Sequence, residues 1–206
     1  MIVSARLDTI NIFDKLEVGL DSPSTGIIAL LATAEILYRE QNFQLQNGKN
    51  VLFAFFHGES FDYIGSTKVF YDMKNQKFPE KKVPSDSENA KTQWPLIDLK
   101  SISAHVELGQ LMSRANDKFY YHVDSLEASK EVSEALEVSS SASGLDLQKS
   151  RSDVLPPGSI QTLLKQRREV PAILLSNFDE SYANPYYHSL YDNATLDEKV
   201  IINISV

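Results

Sequence analysis

Phe53-Ala54-Phe55-Phe56-His57-Gly58-Glu59-Ser60-Phe61-Asp62-Tyr63-Ile64-Gly65-Ser66 is the stretch on which the fold turns. Val51 to Phe56 is a short, unbroken apolar run of β-favouring residues, which predicts a strand covered by helices on both faces. Glu59 follows at the carboxyl end of that strand, the end at which open α/β sheets bind ligands. Phe61 to Met73 then reads as a helix interrupted by Gly65. A buried strand, a carboxylate-bearing loop and a helix, in that order, are how an α/β enzyme presents a catalytic acid.

Upstream, Met1 to Leu7 is a strand ending at Asp8, and a turn-rich stretch leads to Ser22-Pro23-Ser24, a helix start with Pro in the first turn. Ile27, Leu30, Leu31, Ala34 and Leu37 recur at helical spacing. Burying the larger of these contributes about 1.5–3 kcal/mol each, enough to hold the helix on a sheet. Asn47-Gly48 marks a turn before the second strand. Strand, helix and strand within so short a span make a βαβ unit, hence a right-handed crossover and a parallel pair.

Downstream, residues 74–98 are polar, Lys-rich and Pro-containing, and are expected to form a loop or insertion. Ile102 to Leu108 and Phe119 to Val123 read as strands, the second alternating as an edge strand does. Leu126 to Leu136 is an amphipathic helix. Ser139-Ser140-Ser141-Ala142-Ser143-Gly144 lacks apolar content, so 138–150 is expected to be a flexible segment. Pro156-Pro157-Gly158-Ser159 precedes a short helix from Ile160 to Arg167, and Pro171 to Leu175 is another buried strand. Val200 to Val206 reads as a strand beginning where the chain stops. The expectation is one α/β domain over 1–206, a mostly parallel central sheet with helices on both faces, incomplete at its C-terminal end.

A net charge of −8 on 206 residues disfavours nucleic acid or an anionic membrane surface as partner, since neither Lys81-Lys82 nor Lys165 to Arg168 makes a basic stripe. The absence of cysteine removes disulfides and thiolate metal sites. The chain opens as a strand rather than as a signal peptide, and no stretch approaches the roughly 20 consecutive apolar residues of a spanning helix.

The loops carrying Glu59 and His188, with Asp8 after the first strand, converge on one face of such a sheet. By spacing alone this is a metal or acid–base site; equally, Glu59 can serve only to satisfy N–H groups at the start of the following helix. His105 alternates with Glu107 on its strand and reads as core or sheet face, while His57 and His122 lack companions. Tyr186, Tyr187 and Tyr191 read as packing near the site. Asn193-Ala194-Thr195 and Asn203-Ile204-Ser205 are glycosylation sequons.

Ala5-Arg6-Leu7-Asp8, the helix from Ser22 to Glu35, Phe53 to Ser66, Val106-Glu107-Leu108-Gly109-Gln110, Leu155-Pro156-Pro157 and Tyr186 to Asp192 together resemble, in order and spacing, the nicastrin family of γ-secretase subunits. That family is in turn similar to the co-catalytic zinc aminopeptidases and transferrin-receptor-like proteins, which implies a zinc-aminopeptidase-like large lobe. Such enzymes need five metal ligands and a glutamate base to neutralise two dications and activate a bridging water. On this resemblance the first ligand falls on Arg6, with its orienting Asp8 retained. The bridging Asp falls on Ser22, with Asp21 one residue away, and the metal-binding Glu on Ser60. The later ligand Asp falls on Gly109, with Glu107 two residues before it. Glu59 matches the base, and His188 alone clearly keeps a ligand type.

A guanidinium about 4 Å from a dication, at an effective dielectric of about 20, is repelled by roughly 8 kcal/mol. Arg6 is therefore expected to replace metal charge by pairing with Glu59 or Asp8. The resemblance implies no catalysis, no cofactor and no metal: a pseudo-aminopeptidase with a vestigial pocket at Arg6, Asp8, Ser60 and His188. It places recognition of the free amino termini of membrane-protein stubs at Glu59, Asp62 and Tyr63. It also implies presenilin and the other γ-secretase subunits as partners, protein processing such as Notch signalling, and glycans on Asn193 and Asn203. The location implied is the lumenal or extracellular ectodomain of a single-pass type I membrane protein, whose span is absent from this chain. The rival reading is a working zinc aminopeptidase with ligands drawn from Asp8, Asp21, Glu107 and His188.

Overall fold

The computed structural model describes residues 1–10, 19–39, 50–80, 95–112 and 118–193. The turn at Asn47-Gly48, the basic pair Lys81-Lys82, most of the expected 74–98 insertion, the strand expected at 200–206 and Asn203 lie outside the described residues.

Among the described residues six strands form one sheet in the order β2-β1-β3-β6-β4-β5. They are β1 Ile2–Arg6, β2 Leu52–Phe56, β3 His105–Leu108, β4 Lys118–Val123, β5 Asp146–Lys149 and β6 Ala172–Ser176. β1 pairs in parallel with β2 and β3, and β3 with β6. β4 runs antiparallel to β6 and carries β5 in parallel on its outer side. The βαβ unit expected from the first two strands is present, its crossover being helix α1, Thr25–Arg39.

Helices cover both faces because successive strand residues point to opposite sides. Ile2 and Phe56 face Phe70 and Met73 of α2 (Ile64–Lys74) and Leu163 of α4 (Ile160–Leu164). Val3, Ala5, Val106 and Leu108 face Ala29 and Leu30 of α1, with Val132 of α3 (Leu126–Ser143) beyond them. The segment Leu20–Arg39 is long and apolar enough to resemble a membrane span by composition. Its buried face, however, lies on the sheet, with Ala29 and Leu30 in the core. A Cβ on Gly26 would stand 2.6 Å from the Leu108 carbonyl oxygen, so only glycine lets the start of α1 come this close to β3.

Three expectations are corrected. The serine-rich part of 138–150 is helical, and 146–149 is a strand rather than part of a flexible segment. The hydroxyls of Ser140 and Ser141 both donate to the Glu137 carbonyl oxygen, that of Ser143 donates to Ser139, and Gly144 ends the helix with φ 76°. In consequence β4 is an interior strand, not an edge: β5, hidden in a polar stretch without alternating hydrophobicity, covers it. Gly65 does not interrupt a helix but lies in the first turn of α2, which begins at Ile64; a Cβ there would meet the His57 carbonyl oxygen at 2.1 Å.

His105 and His122 are core residues. Ser4 Oγ bonds His105 Nε2 at 2.7 Å, the rings of Phe56 and Phe70 pack edge-on against it, and burial pushes its pKa down to about 3, so it is neutral. His122 bonds Ser176 Oγ at 2.8 Å, and burial likewise lowers its pKa.

Candidate functional site

The carboxyl ends of β1, β2 and β3 bring Arg6, Asp8, Glu59, Ser60 and Glu107 to one end of the sheet, and the segment 182–192 closes over them from the side. Asp8 is buried and fastens the loop after β2: its two oxygens accept the amides of Glu59 at 2.9 Å and Ser60 at 2.8 Å. Burial alone would raise its pKa, but these hydrogen bonds and the Arg6 charge outweigh it and hold the pKa below the usual value. The loop then turns through Asp62 and Tyr63, both in the left-handed region at φ 59° and 58°. Asp62 is exposed on the rim and Tyr63 half-buried, with burial raising the tyrosine's pKa.

Glu59 points inward and is 2% exposed. One of its oxygens accepts the Ser66 amide at 2.8 Å; the other accepts the Ser66 hydroxyl at 2.8 Å and the Ser159 hydroxyl at 2.5 Å. Ser159 couples it to a second buried acid, because its amide donates to Glu107 at 2.9 Å while Ile160 N donates to the other Glu107 oxygen at 2.7 Å. Gly158 permits this wrapping: a Cβ there would lie 2.8 Å from Glu107 Oε2. Complete burial pushes the Glu107 pKa up to about 7, against the two amides and Arg6, which pull it down.

Arg6 does not form the pairing expected of it. Among the described residues it makes no ion pair; Nη1 donates to the Tyr187 hydroxyl at 3.0 Å and Nε is buried without a partner. The reason is competition, since backbone amides already claim Asp8 and serine hydroxyls claim Glu59. Tyr187 is placed by a 4.6 Å stack on Tyr182, which in turn packs on Phe178.

His188 sits on the flank, its Nδ1 accepting the Ile10 amide at 3.2 Å and bonded to the Thr9 hydroxyl at 3.1 Å. Burial and the Arg6 charge lower its pKa, so it is held as neutral imidazole. Asp21 is wholly buried and braces three elements: Asn177 Nδ2 donates to both its oxygens, at 3.2 and 3.0 Å, and Met112 N to one at 3.0 Å. Its amide donates to Asp192, which Asn184 also contacts. Ser66, Ser159, Asn177 and Asn184 are the partners that the sequence did not reveal. The only signal was the Pro156-Pro157-Gly158-Ser159 turn, whose contact across the sheet has no local signature.

A family model described as the nicastrin large lobe matches residues 1–202. This chain belongs to the nicastrin family. Rat (Rattus norvegicus) nicastrin is 32% identical over 94% of this chain, and the chain spans about a quarter of that relative's length (26%). The crystal structure of the γ-secretase component nicastrin superposes with a TM-score of 0.80 at 25% identity, over 99% of this chain and 38% of that one. A zinc aminopeptidase from Bacillus subtilis gives a TM-score of 0.66 at 14% identity, over 99% of this chain and 43% of that one, a likeness of fold alone.

The residues present do not fit a pair of dications. Among the described residues no group of three or more His, Cys, Asp and Glu is arranged to hold a metal. Asp8, Asp21, Glu59 and Glu107 are each engaged by protein N–H or O–H donors, and His188 has turned Nδ1 to a backbone amide. These carboxylates are instead held by hydrogen bonds that join loops.

Proposed function

We propose that this lobe is a non-catalytic ectodomain region of a γ-secretase subunit. It would contribute to substrate recognition or steric gating, and to complex assembly, for intramembrane proteolysis of type I membrane proteins. The observation that carries this reading is the state of Glu59. The residue at the general-base position is buried and its two oxygens hold three donors from Ser66 and Ser159, so it is engaged within the protein rather than presented to a pocket water. The lobe is then a pseudo-aminopeptidase whose old site has become a brace.

Recognition of a stub's free amino terminus falls to the Glu59–Tyr63 loop. Exposed Asp62 offers its carboxylate to an ammonium at the rim, Tyr63 flanks it, and Glu59 fixes the shape of the loop from below. Presenilin and the other γ-secretase subunits are the proposed partners. The proposed location is lumenal or extracellular, in a single-pass type I membrane protein. Asn193 is exposed and is a proposed glycan site, as is Asn203.

Purification of the native full-length protein with its partners tests the reading. The expected result is co-recovery of a presenilin-type protease, with an N-acetylhexosamine-linked glycan on Asn193 by mass spectrometry. Recovery without such a subunit, and with Asn193 unmodified, contradicts it.

A further inference from the structure

The pocket that in the aminopeptidase fold would suit cations now carries a guanidinium with no counter-ion among the described residues. Arg6 Nε–H is buried and unpartnered, and Nη1 is occupied by the neutral Tyr187 hydroxyl. Arg6 lines a cavity of about 20 Å³ together with Ser22, Gln110, Pro156, Phe178 and Tyr187, among others. Gln110 is 4% exposed and its Oε1 is likewise buried without a partner. The Glu107 carboxylate is also in the cavity wall, but both its oxygens accept the amides of Ser159 and Ile160. Asp8 is committed to the amides of Glu59 and Ser60. A buried charge in native proteins finds a partner, and among the described residues no carboxylate supplies one.

We propose that this cavity binds a small inorganic anion of chloride size, held by Arg6 Nε–H and the Gln110 side-chain amide. Sign, direction and size each favour it. The guanidinium supplies positive charge inside a buried cavity, where the attraction is less screened than in water. Its free N–H is a donor with nothing to donate to. A cavity of about 20 Å³ has room for a single small ion. The Gln110 amide, whose Oε1 makes no bond, can present its NH₂ by a half-turn about its last torsion. The inference stands on the cavity and its two unpartnered atoms, and not on membership of a protease complex.

The test uses the full-length protein in sodium bromide, with sodium gluconate at equal ionic strength as control. The expected result is a saturable rise of the unfolding midpoint with bromide but not gluconate, as for any ligand that binds only the folded state. A bromide anomalous peak within hydrogen-bond distance of Arg6 Nε should accompany it. Arg6→Gln should abolish the bromide dependence. Should that variant fail to fold, Gln110→Leu, which leaves Arg6 and Tyr187 in place, should weaken apparent bromide affinity about tenfold or more. No anomalous peak at saturating bromide, or a bromide dependence unchanged by Gln110→Leu, overturns the proposal.

Discussion

Replacing Glu59 with Ala should lower the stability of the lobe by about 3–5 kcal/mol, more than most single substitutions cost. The carboxylate is buried and receives the Ser66 amide, the Ser66 hydroxyl and the Ser159 hydroxyl. A hydrogen bond to a charged group contributes about 1.5–3 kcal/mol, and the two hydroxyls can turn to other acceptors whereas the amide cannot. The loss also reaches further than the loop, because Ser159 is the link between Glu59 and Glu107 and so between the ends of β2, β3 and α4. Glu59→Gln keeps one acceptor and should cost about 1–2 kcal/mol, within the ordinary range for a neutral replacement. Urea unfolding midpoints at constant slope provide the measurement. An Ala variant as stable as the parent would mean that Glu59 is a free group and not a brace.

Glu107→Gln should alter the pH dependence of stability more than any other substitution at the site. The folded pKa of Glu107 is about 7, against an ordinary value of 4.5, because burial penalises the charged form. The folded state therefore holds a proton that the unfolded chain has released, so stability is fully present below about pH 4.5 and is lost as pH rises toward 7. At about 1.36 kcal/mol for each pH decade the loss amounts to roughly 3 kcal/mol. Glutamine has no proton to lose. The variant gives up one acceptor for the two amides, at a cost of about 1–2 kcal/mol, but should gain roughly 3 kcal/mol on the parent between pH 4 and pH 8, as read from denaturant unfolding at the two pH values. Parallel pH profiles would show that the Ser159 and Ile160 amides already satisfy the ionised carboxylate.

The sequence carried the first half of the fold well because its signals are local. The strand read at 1–7 and the apolar run at 51–56, with a helix of correct period between them, define a parallel pair without reference to the rest of the chain. It carried β5 badly because Asp146–Lys149 is a polar edge strand whose formation depends on pairing with β4, and the serine run before it hides a helix held by its own hydroxyls. At the site, Asp8, Glu59 and Glu107 were legible as carboxylates at strand ends. What they bond to was not, since Ser159 lies 100 positions from Glu59 and Asn177 lies 156 from Asp21. Arg6 is the instructive error. Charge complementarity alone pairs it with Glu59 or Asp8, but backbone amides and serine hydroxyls reach those acids first and leave the guanidinium to Tyr187.

We propose that a peptidase-like pocket has exchanged metal ligation for internal hydrogen bonding. Zinc analysis of the purified full-length protein after equilibration with zinc, together with an aminopeptidase assay on the same sample, tests it most directly. The expected result is no stoichiometric zinc and no aminopeptidase activity. Stoichiometric zinc with activity abolished by Glu59→Gln would contradict it.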